Sequence, residues 1–319
     1  MTPPPDPALR RSAVTDVGHG GTPVRVGLTL PSFQSDPERV LAVANVAEDA
    51  GLDGVFAFDH LFRRRGDLET GQHRPALELL TMTAAVAAAT SRIVVGTLVA
   101  RATLRPPAML RAGFDTLERI GPGRIVAGIG GGDDASIDED SAFGVLPGDP
   151  SPAGSGTAGA DPGEHRLARL EATVEALAGR PYPVWVAGVS PAAVRVAAAG
   201  AGGWNRWGGG PAAFAAAVER VRAEVANCHR DPEAFTCTWG GLAVLAETSA
   251  DAAAKRDRLG GNRPGIVSGD PAEAARQIAA YAAAGAAWVI VGPIDSADPS
   301  NAAVLGEAAR LLRTGSVAV

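Results

Sequence analysis

The sequence predicts a single α/β domain closed as a (β/α)8 (TIM) barrel, and three observations predict it. Apolar runs of strand length alternate with Ala-rich runs of helical period, the pattern of βα units around a parallel sheet. Eight strand candidates occur, the number that closes such a barrel. The length of 319 residues is the usual scale of this fold when it carries an insertion.

The elements follow in order. Residues 1–23 are rich in Pro and Gly and read as a disordered tail without the apolar core of a signal peptide, leaving 24–319 as one barrel domain. Strand candidates are Val24–Leu30, Gly54–Phe58, Ile93–Val99, Ile125–Ile129, Val184–Ala187, Gly203–Asn205, Thr236–Leu245 and Trp288–Val291. Helix candidates are Pro37–Ala50, Ala76–Thr90, Pro106–Ile120, Glu164–Leu177, Pro191–Ala199, Pro211–Cys228, Ala250–Leu259, Pro271–Ala284 and Ala302–Leu312. Asp36-Pro37, Ser190-Pro191 and Asp270-Pro271 read as helix starts, because a side-chain oxygen accepts an orphan amide and proline has none to satisfy. Gly51 and Gly285 read as helix stops, where a left-handed residue costs glycine little. The units share this grammar without a fixed period, so a repeat array is not expected.

One segment breaks the pattern. Residues 133–163 begin with Asp133, Asp134, Asp138, Glu139 and Asp140 and end in Gly, Pro, Ser and Ala. They follow the fourth strand and so emerge on the face where barrel active sites lie. A mobile insertion is expected there, either a lid over the site or a neutral linker.

Composition excludes several chemistries. A formal net charge of -6 argues against a nucleic-acid footprint, which needs clustered Lys and Arg. No run approaches the roughly 20 apolar residues of a membrane span. Cys228 and Cys237 are too few for a disulfide framework, which suits reduced thiols in a cytoplasmic protein. Lys255, the only lysine, falls in a polar helical run expected to face solvent, so Schiff-base and pyridoxal chemistry, which need a desolvated lysine, are not expected. The five histidines form no His-x-His or His-Glu-x-x-His pair, so no metal site is expected.

What remains is chemistry at the strand ends. Asp59-His60 closes the second strand, where the imidazole can exchange a proton or donate to a cofactor carbonyl; the alternative is a helix cap beside a surface histidine. Gly130, Gly131 and Gly132 close the fourth strand, where a planar ring or a phosphate can approach bare backbone, unless they are only a flexible loop root. Asp133 beyond them is a candidate carboxylate at the mouth, or a solvated loop residue. Gly188, Val189 and Ser190 join the fifth strand to a helix and can receive a phosphate on that helix's amides, or Ser190 can merely cap it. Trp204-Asn205 can place a ring and an amide on the same rim, with core packing the alternative for Trp204.

Taken together, the ordered motifs resemble the luciferase-like monooxygenase family, and within it the coenzyme F420-dependent branch. The resemblance runs from Val24 to about Leu312. It rests on Ala50-Gly51-Leu52-Asp53 with Asp59-His60, Thr90-Ser91-Arg92-Ile93 through Val99, Arg105-Pro106-Pro107 and Gly121-Pro122-Gly123-Arg124-Ile125. It continues through Glu139–Val145, Arg169-Leu170-Glu171, Val184–Gly188 and Gly203-Trp204-Asn205. The resemblance implies that Asp59 and His60 meet a deazaflavin ring, with His60 handling the proton. It implies that Leu98 and Val99 brace the ring's back face, where the family often has a non-prolyl cis peptide. Gly130–Gly132 then pass close to the cofactor, Asp133 matches a catalytic glutamate of some sugar-phosphate-oxidising members, and Gly188–Ser190 match the phosphate-binding turn.

Departures from that pattern bear on the substrate. The sugar-phosphate members carry a tryptophan four residues after the histidine, where Arg64 stands here, and their phosphate-gripping lysines have no counterparts. The link Ala178–Pro183 is also shorter than usual in the family. The expectation is therefore an F420-dependent oxidoreductase moving a hydride to or from a small organic substrate. The alternatives are an FMN monooxygenase served by a partner reductase, and a deazaflavin-binding protein without turnover. A homodimer is the assembly left open.

Overall fold

The computed structural model describes residues 24–33, 36–64, 73–132, 136, 139, 162–259 and 265–316. Eight parallel strands close the barrel: β1 (Arg25–Thr29), β2 (Gly54–Ala57), then β5 (Val94–Thr97), β7 (Ile125–Gly130), β8 (Val184–Ala187), β9 (Gly203–Trp207), β10 (Thr236–Leu245) and β12 (Trp288–Pro293). Four short strands accompany them. These are β3 (Phe62–Arg64) paired antiparallel with β4 (His73–Pro75), β6 (Ala100–Arg101) beside β7, and β11 (Val267–Gly269) beside β10. The ring closes where β12 pairs with both β10 and β1, with Val26 opposite Val289 and Gly240 opposite Ile290.

These strands read as nearly unbroken apolar runs because both faces are buried. Outward residues such as Val55, Val95, Ala127, Val186 and Val289 join the layer between barrel and helices. Inward residues Phe56, Trp185 and Trp288 fill the axis, with ring centroids 5.7–5.8 Å apart. Room for these rings comes from glycines. A Cβ on Gly96 would stand 2.7 Å from Phe56, one on Gly54 2.8 Å from Trp288, and one on Gly203 2.7 Å from Trp185. Three aromatic plugs and their facing glycines thus make the barrel a packed core below its mouth.

Nine helices among the described residues surround the barrel. They are α1 (Pro37–Asp49), α2 (Leu79–Ala89), α3 (Pro107–Ile120), α4 (Pro162–Ala176), α5 (Pro191–Gly200), α6 (Pro211–Asn227), α7 (Ser249–Leu259), α8 (Pro271–Ala283) and α9 (Ser300–Arg313). The expected caps form: Asp36 accepts from the Glu38 amide, Ser190 from Ala193, and Asp270 shares a capping box with Glu273. Gly51 and Gly285 sit at φ 73° and 97° after α1 and α8, in the left-handed region a helix stop favours.

Several expectations need correction. Lys255 does not face solvent: it is buried, and its ammonium donates to the Leu245 carbonyl (2.8 Å) and Asn301 (3.1 Å) and pairs with Asp295 (2.7 Å). A polar helical run gave no sign that carbonyl and carboxylate partners from distant elements converge on one member of it. Helix α2 starts at Leu79 rather than Ala76, because Glu78 caps it by accepting from the Thr81 amide. The run Ile93–Val99 is not one strand: β5 ends at Thr97, the Leu98–Val99 peptide is cis, and β6 resumes at Ala100. The β3–β4 hairpin and β11 were not anticipated, each being only three residues long. Residues 1–23 and most of 133–163, with the tail and lid readings attached to them, lie outside the described residues.

Candidate active site

The carboxyl ends of the strands enclose a cavity of ≈ 810 Å³, within the roughly 300–1,000 Å³ of small-molecule sites. Its position follows from the fold, since every barrel strand delivers its last inward residue to this face. Of the expected residues, Asp59, His60, Leu98, Val99, Gly130, Gly131, Gly132, Gly188, Val189 and Asn205 line it. Ser190 and Trp204 do not, and Asp133 lies outside the described residues.

The polar side of the cavity is built on one carboxylate. Glu139 receives His60 Nδ1 on Oε1 at 2.7 Å and the Leu61 amide on Oε2 at 2.8 Å, and the Arg101 guanidinium stands 3.2 Å from Oε2. Burial pushes the Glu139 carboxyl up, but the hydrogen bonds from His60 and Leu61 and the charges of His60 and Arg101 outweigh it. The net result lies below the ordinary value. With Nδ1 held this way, Nε2 is the His60 nitrogen left for the cavity, an orientation a general acid or base requires. Phe33 and Phe58 pack on the imidazole with centroids 5.5 and 5.7 Å away.

Asp59 has a different job from its neighbour. Its carboxylate accepts from the Arg101 amide (2.9 Å) and from Arg105 Nη1 (2.6 Å) and Nη2 (3.2 Å), and Arg105 reaches on to Glu78. Burial lowers the Arg105 pKa, but the bonds and charges of Asp59 and Glu78 more than restore it, leaving it above its ordinary value. Asp59 therefore fixes the segment after the cis peptide, and with it the backbone that carries Arg101. Glu139 and Arg101 were missed as site residues by the sequence reading. Glu139 stood inside the acidic start of the insertion, but nothing in the sequence said which of those carboxylates turns inward.

The glycines of β7 serve the chain's own packing. A Cβ on Gly128 would lie 2.0 Å from the Thr97 carbonyl oxygen, and one on Gly130 2.5 Å from Val99. Bare backbone at these two inward positions lets the cis Leu98–Val99 turn press against β7, so Leu98 and Val99 form an apolar ridge in the cavity wall. Gly132, two residues past the end of β7, sits at φ 80°.

Two further expected site residues divide along the strand period. Successive residues of a strand face opposite sides, so Trp204 and Asn205 cannot share a rim. Trp204 points outward, is buried, stacks on Phe214 and donates from Nε1 to the Gly188 carbonyl at 2.7 Å. Asn205 points inward, donating to Thr238 at 2.8 Å, and Trp207 two residues later is the indole that reaches the mouth. Ser190 caps α5 by accepting from Ala193 at 3.2 Å. The turn before it, with Gly188 at φ 145°, opens α5 toward the cavity. Among the described residues no group of His, Cys, Asp and Glu is arranged to hold a metal ion, and no helix is long and apolar enough to cross a membrane.

Comparison with known proteins agrees with this architecture. The model of the luciferase-like monooxygenase family matches residues 18–179 and 162–262. The chain belongs to the luciferase-like monooxygenase family. Among curated relatives, the F420-dependent glucose-6-phosphate dehydrogenase of Beutenbergia cavernae is 40% identical over 111 residues, 34% of this chain and 32% of the relative. The matched region thus spans about a third of that relative's length. Among solved structures, the coenzyme F420-dependent tetrahydromethanopterin reductase of Methanopyrus kandleri superposes with a TM-score of 0.69 at 17% identity, covering 89% of this chain and 98% of that one. A long-chain alkane monooxygenase superposes with a TM-score of 0.71 at 12% identity, covering 94% and 93%. Both are likenesses of fold.

Proposed function

We propose that this member of the luciferase-like family is an oxidoreductase using coenzyme F420 to exchange a hydride with a small organic substrate in the barrel mouth. The observation that carries the reading is His60, oriented by Glu139 at the edge of a cavity whose wall includes the Leu98–Val99 ridge. The local similarity to a protein named as an F420-dependent dehydrogenase supports the choice of coenzyme over FMN. The residues fit such a group: Leu98 and Val99, backed by Gly128 and Gly130, offer an apolar wall for a ring system. Gly188–Ser190 at the start of α5 offers a helix amino end for a phosphate.

When bound, the deazaflavin supplies the hydride chemistry. The chain's part is to orient, to exclude water and to manage one proton. His60 Nε2 takes the proton from a substrate hydroxyl as the hydride leaves carbon, or returns it in the reverse direction. Glu139, anionic and hydrogen-bonded to Nδ1, stabilises the imidazolium that forms.

Titration with oxidised F420 should shift the coenzyme's absorbance saturably while FMN binds weakly. His60→Ala should lower turnover by roughly 100-fold or more with the barrel still folded. Tight FMN binding with oxygen-dependent product would overturn the coenzyme assignment. An unchanged rate in the variant would remove His60 from the mechanism. F420 binding without hydride transfer across a broad substrate panel would mark a binding protein instead.

A further inference from the structure

The mouth of the barrel is divided by chemistry. Asp59, His60 and Arg101 lie on the β2–β5 side, whereas Trp207, Leu242, Ile266 and Ile294 lie on the side of β9, β10 and β12. Trp207 is 47% exposed, while Trp185, Trp204, Trp239 and Trp288 are each 2% or less. Its indole is seated deliberately: a Cβ on Gly240 would stand 2.5 Å from the ring and one on Gly292 3.3 Å away. Two glycines of neighbouring strands, Gly240 in β10 and Gly292 in β12, thus make the shelf on which the ring rests. Val189, in the turn after the adjacent strand β8, is also exposed, so two of the four exposed large apolar side chains among the described residues face one cavity. Exposed apolar surface gathered in a concave site marks a place where a ligand covers it.

Charge points the same way. Among the described lining residues the one cation is Arg101, paired with Glu139, and the one carboxylate is Asp59, held by Arg105. Among the described lining residues, the Trp207 side adds only the neutral groups of Thr29, Asn205 and Ser296. A phosphate or carboxylate desolvated there would lack a compensating charge.

We infer that Trp207 is the floor of the substrate subsite and that the substrate is a neutral organic alcohol or ketone. It lays an apolar face on the indole and turns its oxygen toward His60. The inference rests on reading this cavity as the hydride-transfer site, and it adds the substrate class to that reading. On the Trp207 side, the described lining residues offer a phosphorylated sugar no cation.

Because Trp207 is the one well-exposed tryptophan, its environment can be read in the unmodified protein. Acrylamide quenching of tryptophan emission is measured with increasing cyclohexanol or glucose 6-phosphate, with and without coenzyme F420, whose own binding is followed by absorbance. Cyclohexanol should reduce the quencher-accessible fraction several-fold and saturably; glucose 6-phosphate should not. Trp207→Ala should raise the cyclohexanol half-saturation, read as its KM in turnover, about tenfold, and Trp207→Phe should stay near wild type. Absent protection by cyclohexanol, equal protection by glucose 6-phosphate, or an unaltered KM in Trp207→Ala overturns the inference. Protection without any F420 absorbance shift leaves the apolar subsite standing and sinks the coenzyme reading. An F420 shift without protection does the reverse.

Discussion

Glu139 is the residue on which the polar half of the site turns, since the His60 ring and the Leu61 amide after β2 and the Arg101 guanidinium of β6 converge on its two oxygens. Its carboxyl is held below the ordinary value of 4.5, which fixes the sign of a pH effect. In the unfolded chain the group protonates near that ordinary value, and in the folded protein only at lower pH. The stabilisation is therefore fully present above about pH 4.5 and disappears as pH falls through the folded value. Glu139→Gln should cost on the order of 1–3 kcal/mol at neutral pH by leaving Arg101 and His60 poorly satisfied. The gap in melting temperature between wild type and variant should close as pH falls below about 4.5. Melts on both sides of pH 4.5 check it, and a gap that persists unchanged well below that pH would show that the carboxylate is not the stabilising form. Residues like this one are the hardest to read in a sequence. The importance of Glu139 comes from Arg101 and His60, neither of which is near it in the chain.

At the scale of elements, legibility follows period and punctuation. The eight barrel strands, the proline-started helices and the glycine stops were readable because each is set by its own few residues. The helix dipeptides Asp36-Pro37, Ser190-Pro191 and Asp270-Pro271 all cap as expected. The pieces that failed are those set by neighbours, such as three-residue β11, which exists only because β10 runs on past β12 to meet it. Several family motifs prove to be joints between elements rather than chemistry. Glu48 of α1 accepts the amides of Ser91, Arg92 and Ile93, while Arg124 donates to the carbonyls of Ala87 and Thr90 that end α2 and to that of Ile93. Arg169 of α4 likewise donates to Ala102 and Arg105, fixing the chain after β6. The β5–β7 contact gives the test at this scale. Gly128→Ala puts a Cβ 2.0 Å from the Thr97 oxygen, which is backbone and cannot swing aside. The strand end should shift, costing about 1–3 kcal/mol, and the F420 binding proposed for the cavity should weaken. Gly202→Ala, whose Cβ meets nothing nearer than 3.7 Å, should behave as wild type. Urea unfolding of both variants checks the contrast, and equal midpoints would mean that β5 and β7 tolerate separation.

For the whole molecule the question is how a ring assembled from sequence-distant strands is locked shut. β1 and β12 come from opposite ends of the domain, and α9 packs back on α1, where a Cβ on Gly306 would fall 2.5 Å from Ala50. Arg313 of α9 reaches the Gly51 carbonyl at 2.8 Å. At the mouth the corresponding lock is Lys255, which joins α7 to the end of β10, to Asp295 in the segment after β12 and to Asn301 in α9. Ile294 and Ser296 flank Asp295 and line the cavity, as does Leu259 at the end of α7. The ammonium therefore sets the position of one wall of the site without touching it. Removing one partner of a buried ion pair leaves the others desolvated, which costs about 3–5 kcal/mol when burial is complete. With Asp295 26% exposed, about 1–3 kcal/mol is expected here. Lys255→Met, which keeps the length and apolar stem, should lower the melting temperature and raise the KM for substrate several-fold while leaving turnover at saturation near wild type. Lys255→Arg should recover part of both losses, since a guanidinium can still meet the Leu245 carbonyl and Asp295. A variant that loses kcat in proportion to KM would place Lys255 in the chemistry itself, and one that changes neither would show that the wall after β12 holds without it.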